Sequence, residues 1–136
     1  SNFTPDEVRT MFTLWGIFRS PLFLGGDLPE LPADVLAMLT NKDYLQMHAA
    51  SYGARELLRR ETNGRGTIQW VACGRGCKYA ALFNTQDRPA RQTLHLPDTA
   101  CTVTEIWSGE PLGIFKNRFS ATVPAHGALL LRITAE

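Results

Sequence analysis

The residue types in this chain that could do chemistry are three cysteines, three histidines and a scatter of carboxylates. Cys73 and Cys77 come nearest to a built pair. Strand-like residues 68–73 and 77–83 flank Gly74-Arg75-Gly76, a hairpin loop whose glycines are free to take positive φ. Such a hairpin would set the two thiols across the first pair of the ladder, within reach of a disulfide in an oxidising compartment. Two free thiols are the equal alternative. Zinc would need four ligands, and only Cys101 or His95 could add to the pair, so no metal site is expected. Cys101 alone reads as a core residue. His48, His95 and His126 stand far apart, with no serine or cysteine beside them as a nucleophile. His126, within Pro124-Ala-His-Gly127, reads as a hydrogen-bonding turn residue. Trp70, Tyr79 and Trp107 admit two readings: an aromatic platform for sugar rings, or packing in a small core. Gly74-Arg-Gly76 joins two strands and offers no helix N-terminus to an anion. No cofactor motif is present.

The elements that would position these residues fall into two stretches. Thr4-Pro5-Asp6-Glu7 is a capping box with proline at the first helical position, and Val8, Met11, Phe12, Trp15 and Phe18 follow at helical spacing. Ser20-Pro21 breaks that helix, and Pro21-Leu-Phe-Leu24 has the uninterrupted apolar character of a strand buried on both faces. A second helix is expected from Pro32 to Leu39, and a third from Lys42 to about His48, capped by Asn41. Between Tyr52 and Gly66 the character changes, with charges around Leu57-Leu58 and turn chemistry in Thr62-Asn-Gly-Arg-Gly66. Short strands separated by turns then run to the end, at 67–73, 77–84, 90–96, 102–107, 113–115, 118–123 and 128–134. The fold class expected is α+β: a helical lead-in with one buried strand over residues 1–60, then an antiparallel β-sandwich over 66–136.

Composition narrows the function classes. The chain has 136 residues, 44% apolar and 20% charged, the make-up of a globular protein of one ordinary domain or two small ones. A net charge of +1 with scattered arginines gives no nucleic-acid footprint. No apolar run approaches the ~18 residues of a membrane span. No signal peptide opens the chain, although a cleaved leader would leave the same sequence.

The run Phe12-Thr-Leu-Trp15 followed by Ser20-Pro-Leu-Phe-Leu-Gly-Gly-Asp27 resembles the last helix and strand of the catalytic barrel in α-galactosidase-like enzymes, glycoside hydrolase family 27. Further matches follow in the family's order. They are Leu39-Thr-Asn41, Lys78-Tyr-Ala-Ala-Leu-Phe-Asn84, Trp107-Ser-Gly-Glu-Pro-Leu-Gly113 and Phe119-Ser-Ala-Thr-Val-Pro-Ala-His-Gly127. The resemblance covers nearly the whole chain, from Phe3 to Ile133. One departure is His48-Ala49, where the family usually carries Asn-Gln.

The resemblance implies the end of a TIM barrel followed by the sandwich that buttresses it. Family members are retaining glycosidases with two carboxylates across the scissile bond, at the C-terminal ends of barrel strands. Those residues would lie upstream of Ser1. Here Asp6 and Asp34 start helices, Asp43 sits in a first helical turn, and Asp87 and Asp98 are turn residues. Asp27 alone falls at a strand's C-terminal end, either as a substrate-binding rim residue or as a turn residue holding Leu28-Pro29. No catalytic residue is therefore expected in this chain, which would serve as a structural part of a carbohydrate-acting parent enzyme. The alternative is a free-standing carbohydrate-binding or assembly module. The lead-in's apolar faces imply a partner, either the missing barrel or a second copy. Neither nucleic acid nor membrane is expected as a partner. The family and the Cys73–Cys77 hairpin together suggest the periplasm or the cell exterior, with the cytoplasm not excluded.

Overall fold

The structure, a computed structural model, describes residues 41–136. The positions of the two expected lead-in helices and of the expected strand at 21–24, Asp27 and the His48 side chain lie outside the described residues. Helix α1 (Lys42–Ala50) begins where the sequence places it. Asn41 caps it by accepting the Tyr44 N–H at 3.0 Å, which satisfies one of the donors a first turn leaves open. The same side chain donates through its amide to the Ile106 carbonyl at 2.7 Å, so one residue both starts the helix and ties it to the sheet.

Eight strands follow: β1 (Tyr52–Thr62), β2 (Arg65–Cys73), β3 (Lys78–Asn84), β4 (Ala90–His95), β5 (Cys101–Glu105), β6 (Pro111–Phe115), β7 (Arg118–Val123) and β8 (Ala128–Ala135). They form a six-stranded sheet in the order β1-β2-β3-β8-β5-β6 and a two-stranded sheet of β4 and β7. Every pairing is antiparallel. The seven strands expected after residue 66 are all present, within a residue or two of their expected ends.

The larger sheet is covered on both faces. On one, Tyr79, Ala81, Phe83 and Leu130 pack with Ile106 and with Tyr44 and Met47 of α1. On the other, Ala80, Leu82, Val103 and Leu131 meet Leu94, Phe119 and Val123 of the smaller sheet. Strand β3 lies between these two cores, so only its first residue, Lys78, is exposed. A strand buried on both faces reads as a continuous apolar run, and Tyr-Ala-Ala-Leu-Phe is one.

The first strand corrects the sequence reading. Residues 52–60, expected within the helical segment, extend as β1, and the sheet begins at Tyr52 rather than near residue 66. Bulges between Tyr52 and Arg55 and between Glu56 and Leu58 break the alternation that marks a strand. The second bulge also sorts the charges. Arg55, Leu58 and Arg60 oppose Val71, Gln69 and Thr67, on the smaller sheet's side. Glu56, Arg59 and Glu61 oppose Trp70, Ile68 and Gly66 on the other side, where Arg59 is ion-paired to both glutamates. The hairpin to β2 turns at Asn63-Gly64, with φ of 55° and 75°, the left-handed pair that a two-residue connection demands.

Candidate functional site

The cysteine hairpin forms, in a different register from the one expected. Cys73 pairs with Lys78, and the Gly74 N–H bonds the Cys77 carbonyl at 3.0 Å. Cys77 therefore belongs to the loop rather than to the ladder position opposite Cys73, and both thiols are free, as is that of buried Cys101. Tyr79 is folded over this loop. A Cβ on Gly74 would stand 2.5 Å from the tyrosine ring and 2.9 Å from the Cys77 sulfur.

The three aromatics come together as packing. Tyr79 is 2% exposed, and Trp70 and Trp107 are half-buried against the same core. Tyr44 lies on Trp107 with ring centroids 4.7 Å apart, and burial pushes its phenol above the usual tyrosine range. With Tyr79 buried, the three rings present no common face to solvent, which favours the packing reading over the sugar platform.

The described carboxylates serve the turns and edges. One oxygen of Glu105 accepts the Ser108 N–H at 2.9 Å and the other the Leu130 N–H at 3.2 Å, which holds the Trp107-Ser-Gly turn against β8. Asp98 pairs loosely with Lys116 at 3.7 Å. Asp87 accepts from His126 Nε2 at 2.6 Å and is ion-paired to Arg65. The His126 hydrogen bond, then the Arg65 charge, hold its carboxyl below the usual aspartate range. Among the described residues no two carboxylates face each other across a cleft as glycoside hydrolysis requires. Nor could any group of His, Cys, Asp or Glu among them hold a metal ion.

Asn84 organises the end of the sandwich, a role sequence reasoning missed. It is 1% exposed, and its Nδ2 shares two protons among the carbonyls of Arg88, Val123 and Pro124 at 2.8–3.2 Å. Its Oδ1 accepts the Gln86 N–H at 3.0 Å. The signal was present, since an asparagine closing a fully apolar strand must find partners. The same end carries His126 at φ 53°, a turn position as expected.

Residues 69–133 match the alpha-galactosidase C-terminal beta sandwich domain family. The chain carries that domain. The agreement extends beyond it: α-galactosidase D of Emericella nidulans is 33% identical over 135 residues, which are 96% of this chain and 20% of that protein. A crystal structure of a GH27 β-L-arabinopyranosidase from Geobacillus stearothermophilus superposes with a TM-score of 0.91 at 31% identity, over 99% of this chain and 32% of that one. α-Galactosidase I from Mortierella vinacea shares the fold at a TM-score of 0.88 and 22% identity, over all of this chain and 37% of its own. The chain thus spans about a fifth of the curated relative and a third of the solved enzymes. The α-galactosidase-type sandwich is what positions every side chain described above.

Open surface remains around the smaller sheet, which covers only part of the larger one. An apolar hollow of about 340 Å³, lined by Leu57, Val71, Leu94 and Leu96 among others, opens near the Cys77 loop. Polar hollows of about 180 and 570 Å³ lie along β1, β2 and β4.

Proposed function

We propose that this chain is the C-terminal region of an α-galactosidase-like glycoside hydrolase: a helical end-of-barrel segment followed by the sandwich that buttresses the barrel. It supplies no catalytic residue. The observation that carries this reading is the match along 96% of the chain to a fifth of a longer relative, combined with described carboxylates committed to turns and edges. The parent acts on carbohydrate through its barrel. Relatives named for α-galactoside and for β-L-arabinopyranoside chemistry share this region's fold, which supports specificity being set elsewhere. A periplasmic or extracellular site for the parent follows from the same resemblance. The free-standing carbohydrate-binding reading loses its main support with Tyr79 buried.

The test is complementation. The chain alone should not hydrolyse a nitrophenyl α-galactoside, and fusing it behind the barrel of a family 27 relative truncated of its own C-terminal region should restore that relative's activity and raise its Tm. Hydrolysis by the isolated chain, or a fusion no better than the truncated barrel, would overturn the proposal.

A further inference from the structure

We infer that the cleft between β4 and the β1–β2 hairpin binds an extended acidic glycan, through carboxylate or sulfate groups on the sugar chain. The choice of a glycan rests on the reading of the parent as a carbohydrate-acting enzyme, whereas the anionic character rests on the cleft itself. The smaller sheet has only two strands, so β4 has no strand along its second edge among the described residues, and β1, β2 and β4 line a hollow together. The two polar hollows, one against β4 and one against the 86–88 loop that precedes it, share Arg60 and Thr67 and so adjoin along the strands, and we read them together as one trough.

Its charge is one-sided. Arg60, Arg88 and Arg91 line it, all exposed and none ion-paired to a described carboxylate. Among the described residues the only acidic side chain in the trough is Asp87, already occupied by Arg65 and His126. Alternation turns Arg59 and Glu61 away from Arg60, and the bulge between Glu56 and Leu58 puts Glu56 on that opposite face with them. Three guanidinium groups with no described carboxylate partner thus lie together in a protein of net charge +1. Guanidinium forks match carboxylate and sulfate oxygens in planar, two-pronged contacts.

The floor between the arginines is polar and fixed. Gln69, 3% exposed, donates to the Gln92 side chain at 3.2 Å and to the Thr93 carbonyl at 3.0 Å, and Gln92 donates to the Phe83 carbonyl at 2.8 Å. With Thr67 and Thr93 nearby, this surface suits sugar hydroxyls. No described Phe, Tyr or Trp lines either hollow, so the stacking that single-stranded nucleic acid uses is missing.

The test is direct binding by the chain, with a heparin octasaccharide and an oligogalacturonate as probes and a neutral dextran oligomer and an oligothymidylate for comparison. At least one acidic glycan should bind, more weakly as salt rises, and ahead of dextran and oligothymidylate. The heparin and oligogalacturonate arms distinguish sulfate from carboxylate. The double variant Arg60→Glu/Arg91→Glu should weaken binding by about tenfold or more, since each guanidinium donates charge-assisted hydrogen bonds to the glycan and each glutamate repels it. Arg60→Gln/Arg91→Gln should weaken it less. Arg59→Glu, on the opposite face, should leave it within about twofold, because its charge is distant and screened. Both doubles lie at exposed positions, and an unchanged circular-dichroism melt would verify their folding. Equal weakening in Arg59→Glu, tighter oligothymidylate binding, or no retention of either glycan would overturn the inference. Successful barrel complementation alongside such a failure would leave the hydrolase reading standing.

Discussion

Strands β1 and β3 belong to the same sheet and owe their places to opposite causes. β3 is apolar from Tyr79 to Phe83 and sits between two cores, so hydrophobic burial on both faces holds it. β1 carries five charged residues between Arg55 and Glu61, has no buried position, and is held by its ladder with β2. Its charges and bulges are also how an edge avoids pairing with another chain. Stability should therefore be concentrated around β3, while the edge is free to carry recognition.

The largest break in this contrast should come from Leu82→Ala, which removes a fully buried side chain from β3. We expect a loss of about 3 kcal/mol, read from urea unfolding, against near silence for a truncation on β1. A loss under about 1 kcal/mol would mean that the smaller sheet collapses onto the vacated space. Asn84→Ala comes next, at about 2 kcal/mol, because it leaves buried carbonyls and the Gln86 N–H without their partner. Asn41→Ala removes both a helix cap and a tether to Ile106, for about 1–2 kcal/mol. Amide exchange should quicken in α1 well before β3 if helix and sheet separate there.

Asp87→Asn sharpens the comparison through pH. The folded carboxyl is held below its ordinary range, so its contribution is present above the unfolded pKa and is lost as pH falls through the folded one. The Tm difference between wild type and Asp87→Asn should thus be visible at neutral pH and close as the pH drops below about 4. A gap that widens in acid would reverse the sign of this linkage. Arg59→Ala should have the smallest effect, below about 0.5 kcal/mol and weaker still in salt, since its ion pairs are exposed.

Much of the sandwich was legible from residues alone. Apolar alternation and turn residues placed the strands after residue 66, Asn41 announced its helix, and the Pro124–Gly127 turn was recognisable by composition. β1 was not legible, because bulges scramble its period and an exposed edge carries no hydrophobic signature. The cysteine hairpin was half legible: the loop was evident, whereas a one-residue shift in register decided that Cys73 faces Lys78.

Sequence by itself thus determined the family resemblance and the run of strands after residue 66, since these depend on local pattern and residue type. Tertiary structure alone decided which sheet face each side chain takes. Period-two alternation assigns residues to two faces without saying what covers either one. Only the docking of α1 on one face of the larger sheet made Tyr79 a core residue, and only the placement of the β4–β7 pair on the other left Arg60, Arg88 and Arg91 along its polar hollows.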